Sequence, residues 1–361
     1  VTRPKDERYD TIVVGAGPAG IMAALHAAER GDVLIVDASS LPRDKSCGGM
    51  LHDLSIEALA PYGDVPESIV VAPRHVRFRY VDWDRDIRKP TTLPFLNVER
   101  AGFDDWLVSL LPSSVEVVGS CALVGFRQDA TGVDVDCKVG DEVVTLRCAN
   151  LIGADGARSA VRRALGAGAT STYVTLQDFV ELKGDIEPFF DCIYMRSLGD
   201  EFGYGYIVPK GGHALVGSVF YPKTKRPWEK ADRLLEVLRA SMPQLGESTR
   251  REACAALYLR ANADVVPGAG RVLLAGEAGG FMSPSSGEGI SYALRSGIEA
   301  GRAIADHSSG DALDAYTIAM RPLRADTARR LRWLPLMESR AGKYLAGFMP
   351  APIVSRITQG L

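Results

Sequence analysis

Gly15-Ala16-Gly17-Pro18-Ala19-Gly20 is the stretch that decides the fold, because of what stands on either side of it. The apolar run Thr11-Ile12-Val13-Val14 leads in and the alanine-rich segment Ile21 to Arg30 leads out, so the order is strand, tight turn, helix. Each glycine has its own task. Gly15 turns the chain, Gly17 brings bare backbone up to a pyrophosphate, and Gly20 lets the helix pack against the strand. Gly31 is the expected helix stop, and Val33-Leu34-Ile35-Val36 reads as a second buried strand ending in Asp37. A carboxylate about 20 residues past the glycines is placed to bind ribose hydroxyls and to repel a 2′-phosphate. That favours FAD or NAD over NADP at this site.

A chain of 361 residues is long enough for two domains, or for one large domain with an insertion. The net charge of −3 gives no electrostatic match to nucleic acid, and no nucleic-acid-binding signature is present. The six cysteines form no CxxC pair and no Cys/His group with metal-ligand spacing, so they are read as reduced thiols of a cytoplasmic protein. The five histidines are scattered and read as structural or solvent-facing. The charged N-terminal residues have no signal-peptide core, and no segment offers ~18 uninterrupted apolar residues to span a bilayer.

After Asp37, residues Ala38 to Met50 have no apolar period and form a loop expected to run beside the cofactor. Arg43 and Lys45 suit phosphates or ribityl hydroxyls, and Gly48-Gly49 permits close approach to a ring. Cys47 has two readings: a thiol over the flavin ring or substrate, or a small packing residue. Ile69 to Phe95 is a first β-rich excursion, and the chain returns in a helix from Val98 to Leu107. Arg100, at its start, is read either as a buried bidentate ligand for the cofactor or as an ordinary surface ion pair. Strands at Val115–Val118, Ala122–Phe126, Gly132–Asp136 and Val143–Leu146 read as a small β-meander.

A second motif follows at Leu151-Ile152-Gly153-Ala154-Asp155-Gly156, a buried strand running into a glycine-bracketed carboxylate suited to ribose or ribityl hydroxyls. The aromatic-rich region Tyr173 to Leu259 is assigned to a substrate-binding sheet. It contains the hairpin Tyr204–Pro209 with Ala214–Val219, and a helix from Trp228 to Met242 laid across it. The third motif runs from Arg271 through Gly276-Glu277 to Ser283-Pro284-Ser285-Ser286-Gly287-Glu288-Gly289, and a helix follows from Ile290. There Glu277 can hold a polyol hydroxyl, and the helix start directs free N–H groups forward, where its dipole would stabilise negative charge on a reduced flavin. From Arg321 onward eight basic residues face two acidic ones among many apolar side chains. Such a tail is read first as a helical lid, and alternatively as a peripheral contact with an anionic membrane.

Three such motifs in this order resemble the FAD-binding fold of the p-hydroxybenzoate hydroxylase superfamily. Within it, Lys45–Gly49, Tyr204–Gly211 and Ser283–Ile290 are most similar to the geranylgeranyl reductase branch, which hydrogenates isolated carbon–carbon double bonds of prenyl chains with reduced FAD. The resemblance implies an α/β fold: a discontinuous Rossmann-like FAD-binding domain (1–70, 98–170, 263–320), an inserted antiparallel substrate sheet (71–97, 171–262) and a C-terminal helical lid (321–361). It implies cofactor contacts at Gly15, Gly17, Pro18, Ala19, Gly20, Asp37, Ala38, Arg43, Cys47, Gly48, Gly49, Arg100, Asp155, Gly156, Gly276, Glu277, Pro284, Gly287, Gly289 and Ile290. Cys47, Tyr204 and Tyr206 are the catalytic or substrate-contact candidates. The chain departs from the family in having Asp37 for a usual Glu, Glu277 for a usual Asp, and Tyr206 where a tryptophan is common. The WxWxIP signature of flavin halogenases is absent.

Three functions are consistent with this sequence. The first is an FAD-dependent reductase of an apolar unsaturated molecule, with NAD(P)H as a transient donor because no second GxGxxG exists. The second is a flavin monooxygenase of a small aromatic or polyketide-like compound. The third is a flavoprotein in which the cofactor is structural or sensing.

Overall fold

The computed structural model describes residues 3–42, 45–168, 170–308 and 310–354. Arg8–Val14, Val33–Val36, Glu142–Gly153 and Val272–Leu274 lie side by side as parallel strands, apolar on both faces, one packed under helices Pro18–Ala27 and Ile290–Asp306 and the other against the β-meander. Register is what positions the site. Val14 lies level with Val36 and with Gly153, and Gly153 lies level with Leu274, so the three strands before the three glycine motifs end together at one edge of the sheet. Everything after those strands emerges on the same side, where ligands bind in open α/β sheets.

Two sequence expectations need correction. Val115–Val118 is not part of the meander; it pairs in parallel with Val33–Val36 as an outer strand of this sheet. The meander is made by Cys121–Gln128, Val133–Val139 and the first half of Glu142–Gly153. Nor does Gly31 stop the first helix, which spans Pro18–Ala27 and is capped at Ala28. A Cβ on Gly31 would lie 2.0 Å from Asp10 Oδ2, so that glycine makes room for a carboxylate.

Helix Ile290–Asp306 packs directly on Pro18–Ala27. A Cβ on Gly297 would meet the Ala19 carbonyl oxygen at 2.2 Å and one on Gly301 the Ala23 carbonyl oxygen at 2.4 Å, which explains how closely the two backbones approach.

The second sheet is antiparallel except where Phe189–Tyr194 runs parallel to Val70–Asp82. Its strands come from both β-rich regions, with Ser171–Leu182 beside Leu245–Tyr258 at one side and Val70–Asp82 beside Ile87–Val98 at the other. Alternation, reset by a register shift between Phe202 and Tyr204, sorts its faces. Phe202 and Ile207 pack with Leu234, Leu235 and Leu238 of helix Pro227–Ser241, whereas Tyr204, Tyr206 and Val208 point to the opposite side. Gly205 sits under the helix, where a Cβ would lie 2.6 Å from Leu234 Cδ2. Helices Arg321–Glu338 and Arg340–Ala346 close the chain.

Candidate functional site

One cavity of about 720 Å³ lies between the carboxyl edge of the parallel sheet and the aromatic face of the second sheet. Apart from Gly20 and Arg43, every cofactor-contact and catalytic candidate from the sequence lines it. Gly20 is buried beneath the turn, where a Cβ would lie 1.8 Å from the Gly15 carbonyl oxygen, so its task is packing. Arg43 lies outside the described residues. Gly15 holds φ +108, a region that disfavours any side chain, and a Cβ there would meet the Ala154 carbonyl oxygen at 2.4 Å. The first and second motifs therefore touch through bare backbone.

Carboxylates organise these turns through main-chain donors. Asp37 Oδ2 accepts from Ala16 N at 2.8 Å and Oδ1 from Ser39 N at 2.8 Å, fixing the glycine turn to the end of the second strand. Asp155 was expected to present its oxygens to ribose or ribityl hydroxyls. It lines the cavity and also accepts from Ser159 Oγ at 2.5 Å and from Ala160 N at 2.6 Å, so it holds the start of helix Ala160–Ala164 as well. Burial raises the pKa of Asp155, and those hydrogen bonds oppose the rise. Glu277 accepts from Lys45 Nζ at 3.3 Å and from Leu257 N at 2.9 Å, joining the third motif to the loop and to the second sheet. Glu288 binds both the N–H and the hydroxyl of Ser291 in the first turn of helix Ile290–Asp306.

These residues suit a dinucleotide. The helix starting at Pro18 is preceded by Gly17 with no side-chain cap and has no acid in its first turn; the helix starting at Ile290 has the same arrangement at Gly289. Both N-termini open on one cavity; that of the Pro18 helix has no carboxylate on its first turn, a setting for an anionic group, whereas that of the Ile290 helix already carries Glu288 on the Ser291 N–H. Thr175 Oγ1 and His52 Nε2 are buried among the lining residues and have no hydrogen-bond partner there. Unsatisfied buried polar atoms of this kind are consistent with a polar ligand. From the sequence His52 reads as structural or solvent-facing. Its Nδ1 does cap helix Asp53–Leu59 by accepting from Leu54 N, while the rest of the ring belongs to the cavity wall.

On the facing wall, Tyr206 donates to Gln177 Oε1 at 2.9 Å and stacks on Phe190 with centroids 5.3 Å apart. Gly217, its partner across the hairpin, makes this possible: a Cβ there would lie 2.0 Å from the Tyr206 ring. Tyr204 reaches the third motif, its hydroxyl 3.1 Å from where a Gly287 Cβ would stand. Burial pushes both tyrosines up, so both hydroxyls hold their protons.

Cys47 lies at the seam between the walls. Burial raises its thiol, but the Arg100 charge, the Gly49 N–H at 3.5 Å and Lys45 outweigh it, and the net shift is downward. Arg100 is buried and bidentate to Asp104 at 2.9 and 3.1 Å, so its charge is fixed within its own helix while it faces the thiol. Arg100 thus makes the ion pair of its second reading, but as a buried pair and not a surface one. Lys210 belongs to the Tyr204–Gly211 motif but is not among the site candidates of the sequence. It is 5% exposed, donates to the carbonyls of Gly49 and Val98, and is lowered to about 7 by burial. Leu334, Met337, Glu338 and Lys343 from the last two helices complete the lining. Among the described residues no His/Cys/Asp/Glu group could hold a metal ion, and no helix is long and apolar enough to cross a membrane.

A backbone cradle for a dinucleotide facing an aromatic sheet is the build of a flavin-type oxidoreductase. The chain belongs to the FAD binding domain family, whose model it matches over residues 8–331, and its cofactor is FAD. Protein CbrA of Escherichia coli is 30% identical over 298 residues, covering 80% of this chain and 82% of that protein. A geranylgeranyl bacteriochlorophyll reductase-like protein from Thermoplasma acidophilum superposes with TM-score 0.80 at 19% identity, covering 98% of this chain and 92% of the other. The anhydrotetracycline hydroxylase OxyS from Streptomyces rimosus gives TM-score 0.71 at 20% identity, covering 98% and 76%. The flavin-dependent brominase Bmp2 gives 0.77 at 18% identity, covering 98% and 94%. At these identities the structural likeness concerns the fold, which is the one expected from the three motifs.

Proposed function

We propose that this FAD-dependent oxidoreductase reduces a carbon–carbon double bond of an apolar, isoprenoid-like substrate. The observation that carries the reading is the seam: an acidified thiol, Cys47, lies where the cofactor cradle meets a wall of Phe78, Phe95, Phe190, Tyr204 and Tyr206. When bound and reduced by an external two-electron donor such as NAD(P)H, FAD supplies a hydride. The aromatic wall holds the alkene by apolar contact and excludes water. As the hydride adds to one alkene carbon, Cys47 releases its thiol proton to the other, and Arg100 stabilises the thiolate left behind. Solvent then returns the proton. Tyr204 is the second candidate donor, since its hydroxyl stays protonated at the same junction.

The test is a single turnover without oxygen. FAD-loaded protein is reduced with dithionite under nitrogen and mixed with geranylgeraniol. Reoxidation of the flavin together with a hydrogenated product supports the reading, and Cys47→Ser should slow the reoxidation by ~100-fold or more, in the range of a lost general acid. Turnover that requires oxygen and yields an oxygenated product overturns it in favour of a monooxygenase. A flavin that no substrate reoxidises leaves a structural or sensing role.

A further inference from the structure

The last two helices carry something the cavity does not use. In Arg321–Glu338 the buried face is formed by Leu323, Thr327, Arg330 and Leu334, and Met337 joins Leu334 in the cavity wall. At 100° per residue, Arg329, Arg332, Trp333 and Leu336 fall on the opposite side, and all four are exposed. Helix Arg340–Ala346 repeats the arrangement: Gly342 is buried and Lys343 faces the cavity, whereas Tyr344, Leu345 and the following Phe348 are exposed. Trp333 and Phe348 are each 62% exposed. Among the described residues, most of the large apolar side chains left in solvent belong to this one segment, 333–353.

We propose that this outward face docks the protein on an anionic lipid bilayer. The distribution of charge selects that occupant. The two carboxylates of these helices are both neutralised or bound by neighbours: Asp326 by Tyr292, Arg329 and Arg330, and Glu338 by Tyr173, Tyr258 and Arg260. What remains outward on these helices is aromatic and aliphatic side chains with arginines, of which Arg340 is paired with Asp200 and Arg329 with Asp326. Trp and Tyr beside Arg suit the headgroup boundary, where the rings enter the apolar layer and the guanidinium groups meet lipid phosphates. A second copy of this chain would instead bring two arginine-bearing stripes together. The opposite side of the same helices lines the cavity through Leu334 and Met337, so docking would set one wall of that cavity against the bilayer. The docking is independent of which reaction the cavity performs.

The test is co-sedimentation of the FAD-loaded full chain with vesicles of phosphatidylcholine alone and of phosphatidylcholine mixed with phosphatidylglycerol. Roughly tenfold tighter binding to the anionic vesicles is expected, falling as salt rises. Trp333→Ser with Phe348→Ser should abolish sedimentation while the flavin absorbance and melting temperature stay unchanged. Arg332→Glu should weaken the anionic preference with the apolar face intact. Equal affinity for both vesicles, no sedimentation with either, or a dimer in equilibrium ultracentrifugation that the same serine variants dissociate would each overturn the proposal.

Discussion

The two walls of the cavity are built from different materials. On the cofactor side the decisive contacts belong to backbone: glycines touch carbonyl oxygens, and Asp37, Asp155 and Glu288 each accept from main-chain N–H groups. On the facing side the decisive contacts belong to side chains brought from distant strands, Tyr206 on Gln177 and Phe190 and Tyr204 against the Gly287 turn, and at the seam between the walls Arg100 faces Cys47. A backbone cradle cannot be altered without moving the chain, whereas an aromatic wall can be re-cut one residue at a time. This contrast explains how one fold is shared by proteins named as reductases, hydroxylases and halogenases.

The contrast breaks if a change in the cradle is tolerated. Gly20→Val has the largest expected effect, because its first carbon would stand 1.8 Å from a main-chain oxygen. Purified variant should be colourless and should unfold at least ~3 kcal/mol more easily in urea. A yellow, stable variant would refute the backbone account.

Lys210 sharpens the other side. Its folded pKa of about 7 lies below its ordinary 10.5, so between those values the unfolded chain holds a proton that the folded one lacks. Stability therefore rises with pH across that window by up to ~1.4 kcal/mol per pH unit and is lowest below it. Urea midpoints of Lys210→Met, compared with the parent protein from pH 7 to 10, should lose this component; parallel curves would contradict it.

Arg100→Met removes the charge that lowers the Cys47 thiol. The pH at which iodoacetamide alkylation of Cys47 is half-maximal should move upward by about one unit or more, and an unchanged profile would detach the two residues. Smallest of all, Tyr206→Phe deletes one hydrogen bond to Gln177 and should cost ~1 kcal/mol with flavin retained. Loss of flavin from that variant would blur the division between the walls.

The same division governs what could be read before folding. Glycine turns follow strands at fixed offsets, so Gly15–Gly20, Gly153–Gly156 and Gly276–Gly289 were legible in order, and the level strand ends explain why they meet. Asp155 was legible as a carboxylate at the right place but not in its partners, although Ser159 four residues on, at a helix start, is itself a capping signal. The Arg100–Asp104 spacing is that of an ion pair on one helix face. Its meeting with Cys47, the burial of Lys210 and the entry of Leu334 and Met337 into the cavity all depend on tertiary packing between elements far apart in the chain. No local period encodes such meetings.

Glu277 draws one consequence from the way the walls join. Its carboxylate grips Lys45 on one side and the amide of Leu257, in the long strand of the second sheet, on the other. A ligand hydroxyl that took either oxygen would loosen one arm of this clasp between the halves, and by linkage a change in how the halves are clasped would alter the hold on that ligand in return. The enzyme's grip on its prosthetic group would thus depend on how firmly the two halves are held together.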